Sequence, residues 1–291
     1  MDYLLIAAII PVIALGYYIY KKDFNKEPIG VLMKLFVLGF FAAIPVLIVE
    51  LLASKFISTD DVGNFFILFI NTFLSIALVE EFFKWLVSYY LGYKSQDFDE
   101  IYDIIVYSVF ASLGFACIEN ILYVYSMGLG TAIMRALLSI PGHTCFGVIM
   151  GYYLARMKIY SIQKNDAMKN KNFVLSLIVP SLAHTLYDSF LFESTGGNMH
   201  GLLFLSFFFV FYLIMVVVCF RTVNKISSVQ QKLYETGTIP LDFSSIRSSS
   251  SQESSEPILV PENTMEYHFC TSCGHEISGY NYCPYCGKHL K

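Results

Sequence analysis

The sequence predicts an all-α polytopic membrane protein of about seven transmembrane helices, followed by a small cysteine-rich module on a flexible linker. Of its 291 residues, 56% are hydrophobic and only 14% are charged, whereas soluble globular chains carry about 25% charged residues. Because so much apolar surface does not fit inside one water-soluble core, a lipid bilayer must cover it. The formal net charge of −4 excludes a basic nucleic-acid-binding surface, so no nucleic-acid partner is expected.

Seven apolar stretches are long enough to cross the bilayer core, which takes about 20 residues of helix. They are predicted near residues 2–20, 28–53, 64–91, 101–126, 130–156, 173–192 and 199–220. Short polar loops separate the spans, and the fifth of these loops is predicted over residues 158–172.

Lysine and arginine are distributed unevenly between the two sides of these spans. Twelve of them lie in the first, third and fifth loops or after the last span, whereas the other three loops hold Lys55 alone. Basic loops stay in the cytoplasm. The sequence therefore predicts a multi-pass protein of the cell membrane with its N-terminus outside and its C-terminal tail in the cytosol.

The composition changes after the last span. Residues 230–235 favour an extension of the last helix, and residues 244–256 read SSIRSSSSQESSE, which is too polar to form a packed core. Three units are predicted on this basis: a membrane domain over 1–225, a Ser-rich linker over 226–265 and a small module over 266–291.

Four of the seven cysteines lie in the last 22 residues, in two CxxC pairs separated by nine residues: Cys270, Cys273, Cys283 and Cys286. Four thiolates at this spacing give Zn²⁺ a closed tetrahedral shell, and the pattern resembles a short zinc ribbon. Metal binding would supply the folding energy of so small a unit. Redox-active cysteine pairs are the less favoured alternative. Such ribbons most often mediate protein contacts, so a cytosolic protein partner is expected.

Polar and ionisable residues recur in four consecutive spans, the third to the sixth, where they are costly and indicate function. The four clusters are Glu80, Glu81 and Lys84; Glu119, Asn120 and Tyr123; Arg135 and His143; and His184 and Asp188. A spacing of four residues places Glu80 with Lys84, and His184 with Asp188, on one helix face. The pair Pro141-Gly142 predicts a kink near His143.

A structural role is the alternative for each cluster alone. Lys84 would then only pair with a glutamate, Arg135 would only neutralise Glu119, and Asp188 would be solvated at a span end. Recurrence in four consecutive spans favours function instead. At a rise of about 1.5 Å per residue, Glu80 and the two histidines are predicted to meet in the cytoplasmic half of the bilayer, and Glu119 to lie nearer the outer half.

Adjacent glutamates together with two histidines are suited to the hydrolysis of a peptide bond. Two close carboxylates do not both ionise easily, so one of them becomes a base near neutral pH and can activate water. Histidines can polarise the carbonyl and stabilise the oxyanion. The same Glu/His set could instead hold a divalent metal ion, and the residues alone leave both mechanisms open.

The ordered set EExxK, ENxxY, Arg135 with His143, and HxxxD resembles the PrsW family of intramembrane proteases, over roughly residues 1–220. That family belongs to a wider clan with the CAAX prenyl endopeptidases and bacteriocin-processing membrane proteins. The resemblance implies that Glu80 and Glu81 activate water, with His143 and His184 as partners. It also implies a membrane-protein substrate, such as a membrane-anchored anti-sigma factor cut in regulated proteolysis. The C-terminal ribbon departs from the simplest family pattern.

Two other classes of protein are consistent with the same sequence features. A membrane transporter or sensor would bind an ion or proton at the buried charges and recruit a partner through the ribbon. Such a transporter is expected to show paired broken helices in two repeated halves, and the sequence has no matching repeat. A lipid-modifying hydrolase would use the same site on a different substrate.

Overall fold

The computed structural model describes residues 2–58, 64–196 and 199–235, and two short strands at 268–269 and 276–277. Within these ranges, seven helical spans are long and apolar enough to cross a membrane: Tyr3–Lys22, Ile29–Ala53, Phe65–Tyr93, Asp103–Met127, Leu129–Ile162, Asp166–Ser194 and Met199–Lys232. Each predicted span has its counterpart here. The prediction of a seven-span helical membrane protein is therefore confirmed.

The spans are formed by helices α1 (Asp2–Lys22), α2 (Ile29–Ala53), α3 (Phe65–Thr72), α4 (Leu78–Val87), α5 (Asp103–Met127), α6 (Leu129–Leu137), α7 (Ser139–Ile162), α8 (Asp166–Ser194) and α9 (Met199–Glu235). The predicted extension of the last helix through residue 235 is confirmed. In the third span, π-helical segments at Phe73–Ala77 and Ser88–Tyr93 flank α4 on both sides. Segments of this kind inside α-helices occur frequently at functional sites, and α4 carries the EExxK motif.

Helix α5 is the central element of the bundle, since 78% of its apolar membrane-spanning stretch is buried. It packs directly on α2 through two glycines. A Cβ atom at Gly39 would overlap the carbonyl oxygen of Ala111, and one at Gly114 would overlap that of Phe36. Only glycine permits two helix backbones to approach so closely, which is the usual role of small residues between membrane helices.

The fifth span is broken at Leu138, where α6 ends and α7 begins. The break precedes Pro141 by three residues, so proline occupies the first turn of α7, where its missing N–H is tolerated. Proline cannot donate to the Leu137 carbonyl one turn earlier, and the Tyr212 hydroxyl of α9 donates to that carbonyl instead. The predicted kink exists, but it lies before the histidine and divides the span into two helices.

The predicted loop over residues 158–172 is wrong in its extent. Helix α7 continues to Ile162 and α8 begins at Asp166, so only residues 163–165 connect them. Lys164 adopts a positive φ of 53° there, and the Asn165 side chain caps α8 by accepting from the Met168 amide. Polar residues at the ends of membrane helices extend them beyond the apolar segment, which composition alone does not reveal.

The loops that the charge pattern assigns to the cytosol lie at one end of the bundle. Tyr18 near the end of α1 donates to Asn224 of α9 at 3.3 Å, and Tyr102 before α5 donates to the Ile19 carbonyl at 3.1 Å. Ser227 of α9 also donates to the Lys22 carbonyl. These contacts show that the first and third loops and the end of α9 share one end, while the direction of insertion stays a prediction.

Candidate active site

The three ionisable residues of the EExxK motif form one buried ion-pair group on α4. Lys84 Nζ lies 2.8 Å from Glu80 Oε2 and 2.9 Å from Glu81 Oε1. Lys84 and Glu81 are fully buried and Glu80 nearly so. The Lys84 ammonium also lies 4.2 Å from the centre of the Phe115 ring of α5, a cation–π contact that is stronger where water is excluded. The predicted pairing of Lys84 with a glutamate is thus confirmed, and it includes both carboxylates.

Two histidines from other helices complete the group. His143 of α7 places Nδ1 3.2 Å from Lys84 Nζ, and His184 of α8 places Nδ1 3.1 Å from Glu81 Oε1. The two imidazole rings lie 5.6 Å apart, nearly perpendicular to each other. Helices α4, α7 and α8 therefore each supply part of one site.

Each histidine is held by a carboxylate on its outer nitrogen. His143 Nε2 lies 2.8 Å from Glu119 Oε2, and His184 Nε2 lies 3.2 Å from Asp188 Oδ2. Asp188 is 14% exposed and pairs with His184, so it has a partner in the site besides any solvent at the span end. A carboxylate on one imidazole nitrogen fixes the ring orientation and directs the other nitrogen to the site.

These contacts assign different protonation states to the two histidines. An ammonium only donates, so His143 Nδ1 accepts from Lys84 and its Nε2–H donates to Glu119, which describes a neutral imidazole. His184 has a carboxylate oxygen at both nitrogens, and only an imidazolium donates from both at once. The site thus contains one neutral histidine and one cationic histidine.

The ENxxY motif binds Arg135. The Arg135 guanidinium lies 3.0 Å from Glu119 Oε2, donates from Nε to Asn120 Oδ1 at 2.9 Å, and lies with its central carbon 4.3 Å from the Tyr123 ring centre. Asn120 also donates to the Ala8 carbonyl at 2.7 Å, which ties the motif to α1. The predicted neutralisation of Glu119 by Arg135 is confirmed, and Glu119 contacts His143 in addition.

The site opens into a cavity of about 710 Å³, which is within the usual range of ligand pockets, about 300–1,000 Å³. Its polar lining includes Glu50, Glu80, Glu119, His143, His184 and Asp188, together with Arg135, Ser139 and two tyrosines. Glu81 and Lys84 are absent from that lining and lie behind it. Glu80 is therefore the EExxK carboxylate that a substrate or water molecule in the cavity can contact.

Glu50 of α2 is a site residue that the sequence interpretation missed. It lines the same cavity, and its Oε1 atom is buried with no hydrogen-bond partner among the described residues. Glu50 is the only carboxylate of its span, and Lys34, the one other charged residue there, is not at helical spacing from it. A stricter application of the rule that any carboxylate at membrane depth indicates function would have identified it.

Aromatic contacts fix the positions of α4, α7 and α8 relative to one another. The ring of Phe146 on α7 stacks on His184 with centres 4.5 Å apart. Trp85 follows Lys84 on α4 and donates from its indole nitrogen to Ser176 of α8 at 2.8 Å. These contacts join α4, α7 and α8 on either side of the ionisable group, and they restrict the rotamers of His184.

The donor atoms also suit a divalent metal ion. Ligand atoms of Glu80, Glu81 and His184 lie within 4.8 Å of one another, and the same holds for Glu80, Glu119 and His143. Glu81 Oε2 is buried without a hydrogen-bond partner. Carboxylate-bound histidines are typical metal ligands, so the residues present fit a divalent metal ion. Lys84 contacts both glutamates in this structure and would share them with the ion.

The structure brings all ten residues of the four predicted clusters into one connected network. Depth along the helices was a poor guide for Glu119, because it was predicted nearer the outer half and away from Glu80. In the structure, a carboxylate oxygen of Glu119 lies within 4.8 Å of a carboxylate oxygen of Glu80. Rise per residue ignores the tilt of α5 and the reach of its side chain, and these bring Glu119 to His143. The predicted zinc ligands Cys270, Cys273, Cys283 and Cys286 lie outside the described residues.

A helical membrane bundle with a buried glutamate–histidine group that lines a cavity defines the class of membrane-embedded hydrolases. Residues 27–219 match a family described as "PrsW family intramembrane metalloprotease". The chain therefore belongs to the PrsW family and is an intramembrane protease, a peptide hydrolase that acts within the bilayer.

Curated relatives agree with this assignment. A protein named Protease PrsW from Oceanobacillus iheyensis is 40% identical over 185 residues, which cover 64% of this chain and 81% of the relative. Proteins of the same name from Geobacillus kaustophilus and Bacillus subtilis are 38% and 37% identical, each over 70% of this chain, and are themselves covered to 86% and 90%. No solved structure matches the chain. These findings favour the protease over the transporter or sensor.

Proposed function

We propose that Glu80 is the general base that activates water for attack on a peptide carbonyl of a membrane-protein substrate. The observation that supports this most directly is the position of Glu80. It is the EExxK carboxylate that lines the cavity, and Lys84 fixes its side chain at 2.8 Å. In this scheme the Glu80 carboxylate takes a proton from water as the water oxygen bonds to the carbonyl carbon. The proton then passes to the leaving amide nitrogen as the C–N bond breaks.

His184 stabilises the negative charge that develops on the carbonyl oxygen. As an imidazolium it brings a positive charge to the cavity that Glu80 also lines, and a positive charge close to the developing oxyanion stabilises it. Asp188 and Glu81 balance that charge from both nitrogens. His143 is neutral by its contacts, accepts from Lys84, and keeps the ammonium in place between the glutamates. Glu119 and Arg135 orient His143 from the outer side.

A divalent ion would be held in this site by Glu80, Glu81 and His184, as the family description implies. When bound, it supplies Lewis-acid polarisation of the carbonyl and a water of lowered pKa. Asp188 would then orient His184 through its outer nitrogen. His184 would then be a neutral imidazole, because a histidine must be deprotonated to bind a metal, and His143, Glu119 and Arg135 would keep their orienting roles.

The substrate is a membrane protein whose spanning segment enters the cavity. Besides its polar group, the cavity is lined mainly by apolar side chains from α2, α5, α7, α8 and the break between α6 and α7, such as Leu47, Leu122 and Leu138. This lining suits a hydrophobic peptide. A membrane-anchored anti-sigma factor fits this description, and cleavage of such a protein would initiate regulated proteolysis.

The C-terminal module is proposed as a cytosolic zinc ribbon that recruits a protein partner. Strands β1 (His268–Phe269) and β2 (Glu276–Ile277) pair antiparallel, with His268 opposite Ile277. This places Cys270 and Cys273 in the sequence between two paired strands, as in a zinc knuckle. The positive charge at the end of the bundle that holds Lys22 supports a cytosolic location of this end.

The test is cleavage of candidate single-span membrane proteins by the purified full-length chain, with Glu80→Gln alongside. We expect the wild type to cut within or near the spanning segment, and Glu80→Gln to lose about 10²–10⁴-fold in rate while remaining folded. Cys117→Ala is the matched control, since this buried cysteine lies outside the cavity. Equal cleavage by Glu80→Gln and wild type would remove Glu80 from the chemistry.

A chelator treatment decides between the two forms of the mechanism. Loss of cleavage that Zn²⁺ restores in wild type, but not in His184→Ala, would assign a metal to Glu80, Glu81 and His184. Unchanged cleavage after metal removal would assign the chemistry to Glu80 and the histidines without a metal.

A further inference from the structure

A second group of carboxylates lies at the end of the bundle that holds the first and third loops. Two segments supply it: the loop after α1 and the loop that leads into α5. Its members are Asp23, Glu27, Asp99, Glu100 and Asp103. None of them lines the protease cavity, so this group is distinct from the active site.

The oxygen atoms of this group converge. Ligand oxygens of Asp23, Glu100 and Asp103 lie within 4.8 Å of one another, and so do those of Glu27, Asp99 and Asp103. Asp103 belongs to both sets and is the centre of the group. Oxygens at such mutual distances can reach a single ion at about 2.4 Å, which is the usual Ca²⁺–oxygen distance.

The central carboxylate, that of Asp103, is buried, and one of its two oxygen atoms has no hydrogen-bond partner among the described residues. Asp103 is fully buried, and its Oδ2 accepts from the backbone amides of Asp99 and Glu100 at 3.0 and 2.6 Å. Its Oδ1 has no hydrogen-bond partner among the described residues, and neither has Oδ1 of Asp23, which is 2% exposed. A buried acceptor without a partner is costly, so both atoms indicate a missing ligand with positive charge or a proton.

The carboxylates also face one another. Those of Glu27 and Asp103 lie within hydrogen-bonding reach, although an ionised carboxylate only accepts. Tyr107 donates to the other side of Glu27. Each of these facts describes negative charge that is held close together at a cost.

Direct ion pairs do not neutralise four of the five carboxylates, although Lys26 lies close enough to Asp23 to interact with its charge. Among the described residues, no lysine or arginine forms an ion pair with Asp23, Glu27, Asp99 or Asp103. Lys26 is the nearest candidate in the sequence, but its ammonium donates to the backbone carbonyls of Tyr20, Lys21 and Asp23. Within the described part of the chain, Asp23, Glu27, Asp99 and Asp103 therefore lack the direct ion-pair partner that buried carboxylates usually have.

We propose that these five carboxylates bind a hard divalent cation that ties the loop after α1 to the start of α5. Oxygen-only donor sets without histidine or cysteine select Ca²⁺ or Mg²⁺ over zinc. Because α5 is the central helix and carries Glu119 to the active site, the ion stabilises the helix on which the protease site is built. The site needs neither the zinc ribbon nor the protease mechanism.

The test uses the full chain in detergent, freed of metals with a chelator and returned to buffer containing Ca²⁺ or Mg²⁺. We expect one equivalent of ion to bind in equilibrium dialysis. At an ion concentration about 100-fold above Kd, the unfolding temperature should rise by roughly 5 °C or more. Comparing the response to Ca²⁺ with the response to Mg²⁺ indicates the size of the site, because Mg²⁺ requires shorter metal–oxygen distances.

Asp103→Asn and Asp23→Asn are the discriminating variants. Both keep an oxygen acceptor and remove one charge, so ion affinity should fall at least about 10-fold, since each Asp is a charged ligand. Without ion, they should be as stable as the wild type or more so, because a repulsion is relieved. Asp166→Asn removes an exposed carboxylate and should keep the full response, as should Glu80→Gln.

Two results would overturn the proposal. The first is a wild-type protein with no ion-dependent shift and no bound equivalent, which would mean that the carboxylates share protons alone. The second is an undiminished response in Asp103→Asn, which would place the ion elsewhere in the chain.

Discussion

The Nδ1 atom of His184 lies 3.1 Å from Oε1 of Glu81, although 103 residues separate the two along the chain. The contact joins α8 to α4, and the ring of Phe146 stacks on His184 and restricts its orientation. Glu81 at the same time binds Lys84. Glu81 therefore links the lysine and the cationic histidine, and it does so from behind the cavity in which Glu80 is exposed to substrate.

The two glutamates should respond differently to the same substitution. Glu80→Gln should keep its unfolding temperature near that of the wild type and lose about 10²–10⁴-fold in cleavage rate. Glu81→Gln should lose cleavage and also stability, since it leaves the fully buried Lys84 and His184 with one carboxylate fewer each. Thermal unfolding and initial cleavage rates are measured in parallel. A folded Glu80→Gln/Glu81→Gln double variant that cleaves at the wild-type rate would make both residues structural.

The carboxylates on the outer histidine nitrogens should act through those histidines. Asp188→Asn keeps a hydrogen-bond acceptor but removes the charge that stabilises imidazolium, so we expect a cleavage loss smaller than that of His184→Ala. We also expect its rate-against-pH profile to change in shape, because a different fraction of His184 carries the proton. The double variant Asp188→Asn/His184→Ala should cleave no more slowly than His184→Ala alone. Additive losses would show that Asp188 acts independently.

Removal of the central ammonium should damage both folding and activity. Lys84→Met leaves two facing carboxylates without their cation, and breaking a buried ion pair costs about 3–5 kcal/mol. Lys169→Met is the matched control, because its pair with Asp166 is largely exposed and such pairs contribute about 0–1 kcal/mol. Unfolding temperature and cleavage rate provide the measurement. Equal stability of Lys84→Met and Lys169→Met would contradict a central role for the lysine.

The direction of insertion follows from the charge bias and can be measured with cysteine probes. In a background without reactive cysteines, a probe at Ser249 should stay protected from a membrane-impermeant reagent in intact cells, and one at Asn198 should react. The reason is that the loops with twelve lysines and arginines should remain in the cytoplasm. Reversed labelling would place the acidic group and the ribbon outside the cell.

The ribbon should contribute one zinc equivalent to the full chain. Cys270→Ser/Cys286→Ser breaks both CxxC pairs, so the metal content should fall by one zinc per chain. The unfolding temperature of the membrane domain should not change, since a Ser-rich linker separates the two units. Elemental analysis and thermal unfolding are the measurements. Cys145→Ala serves as the control, and a zinc content unaffected by the double substitution would contradict the ribbon.

The sequence alone determined the features that depend on neighbouring residues. The seven spans follow from runs of apolar side chains, because a membrane helix must bury its backbone polar groups within itself. The contacts of Lys84 with Glu80 and of His184 with Asp188 follow from helical spacing. The choice of catalytic candidates followed from the cost of charge inside a bilayer, and all of these residues lie in one network.

Only the tertiary structure decided which of these groups meet and which of them is accessible. Tight packing of α2 on α5 at Gly39 and Gly114 fixes where Glu119 lies, and the sequence placed it too far from Glu80. The difference between Glu80 at the cavity and Glu81 behind it depends on helix rotation. The sequence can mark Glu50 as a carboxylate at membrane depth, but only the tertiary structure places it in the same cavity as Glu80. Hydropathy and spacing describe one helix at a time, whereas a site is formed between helices.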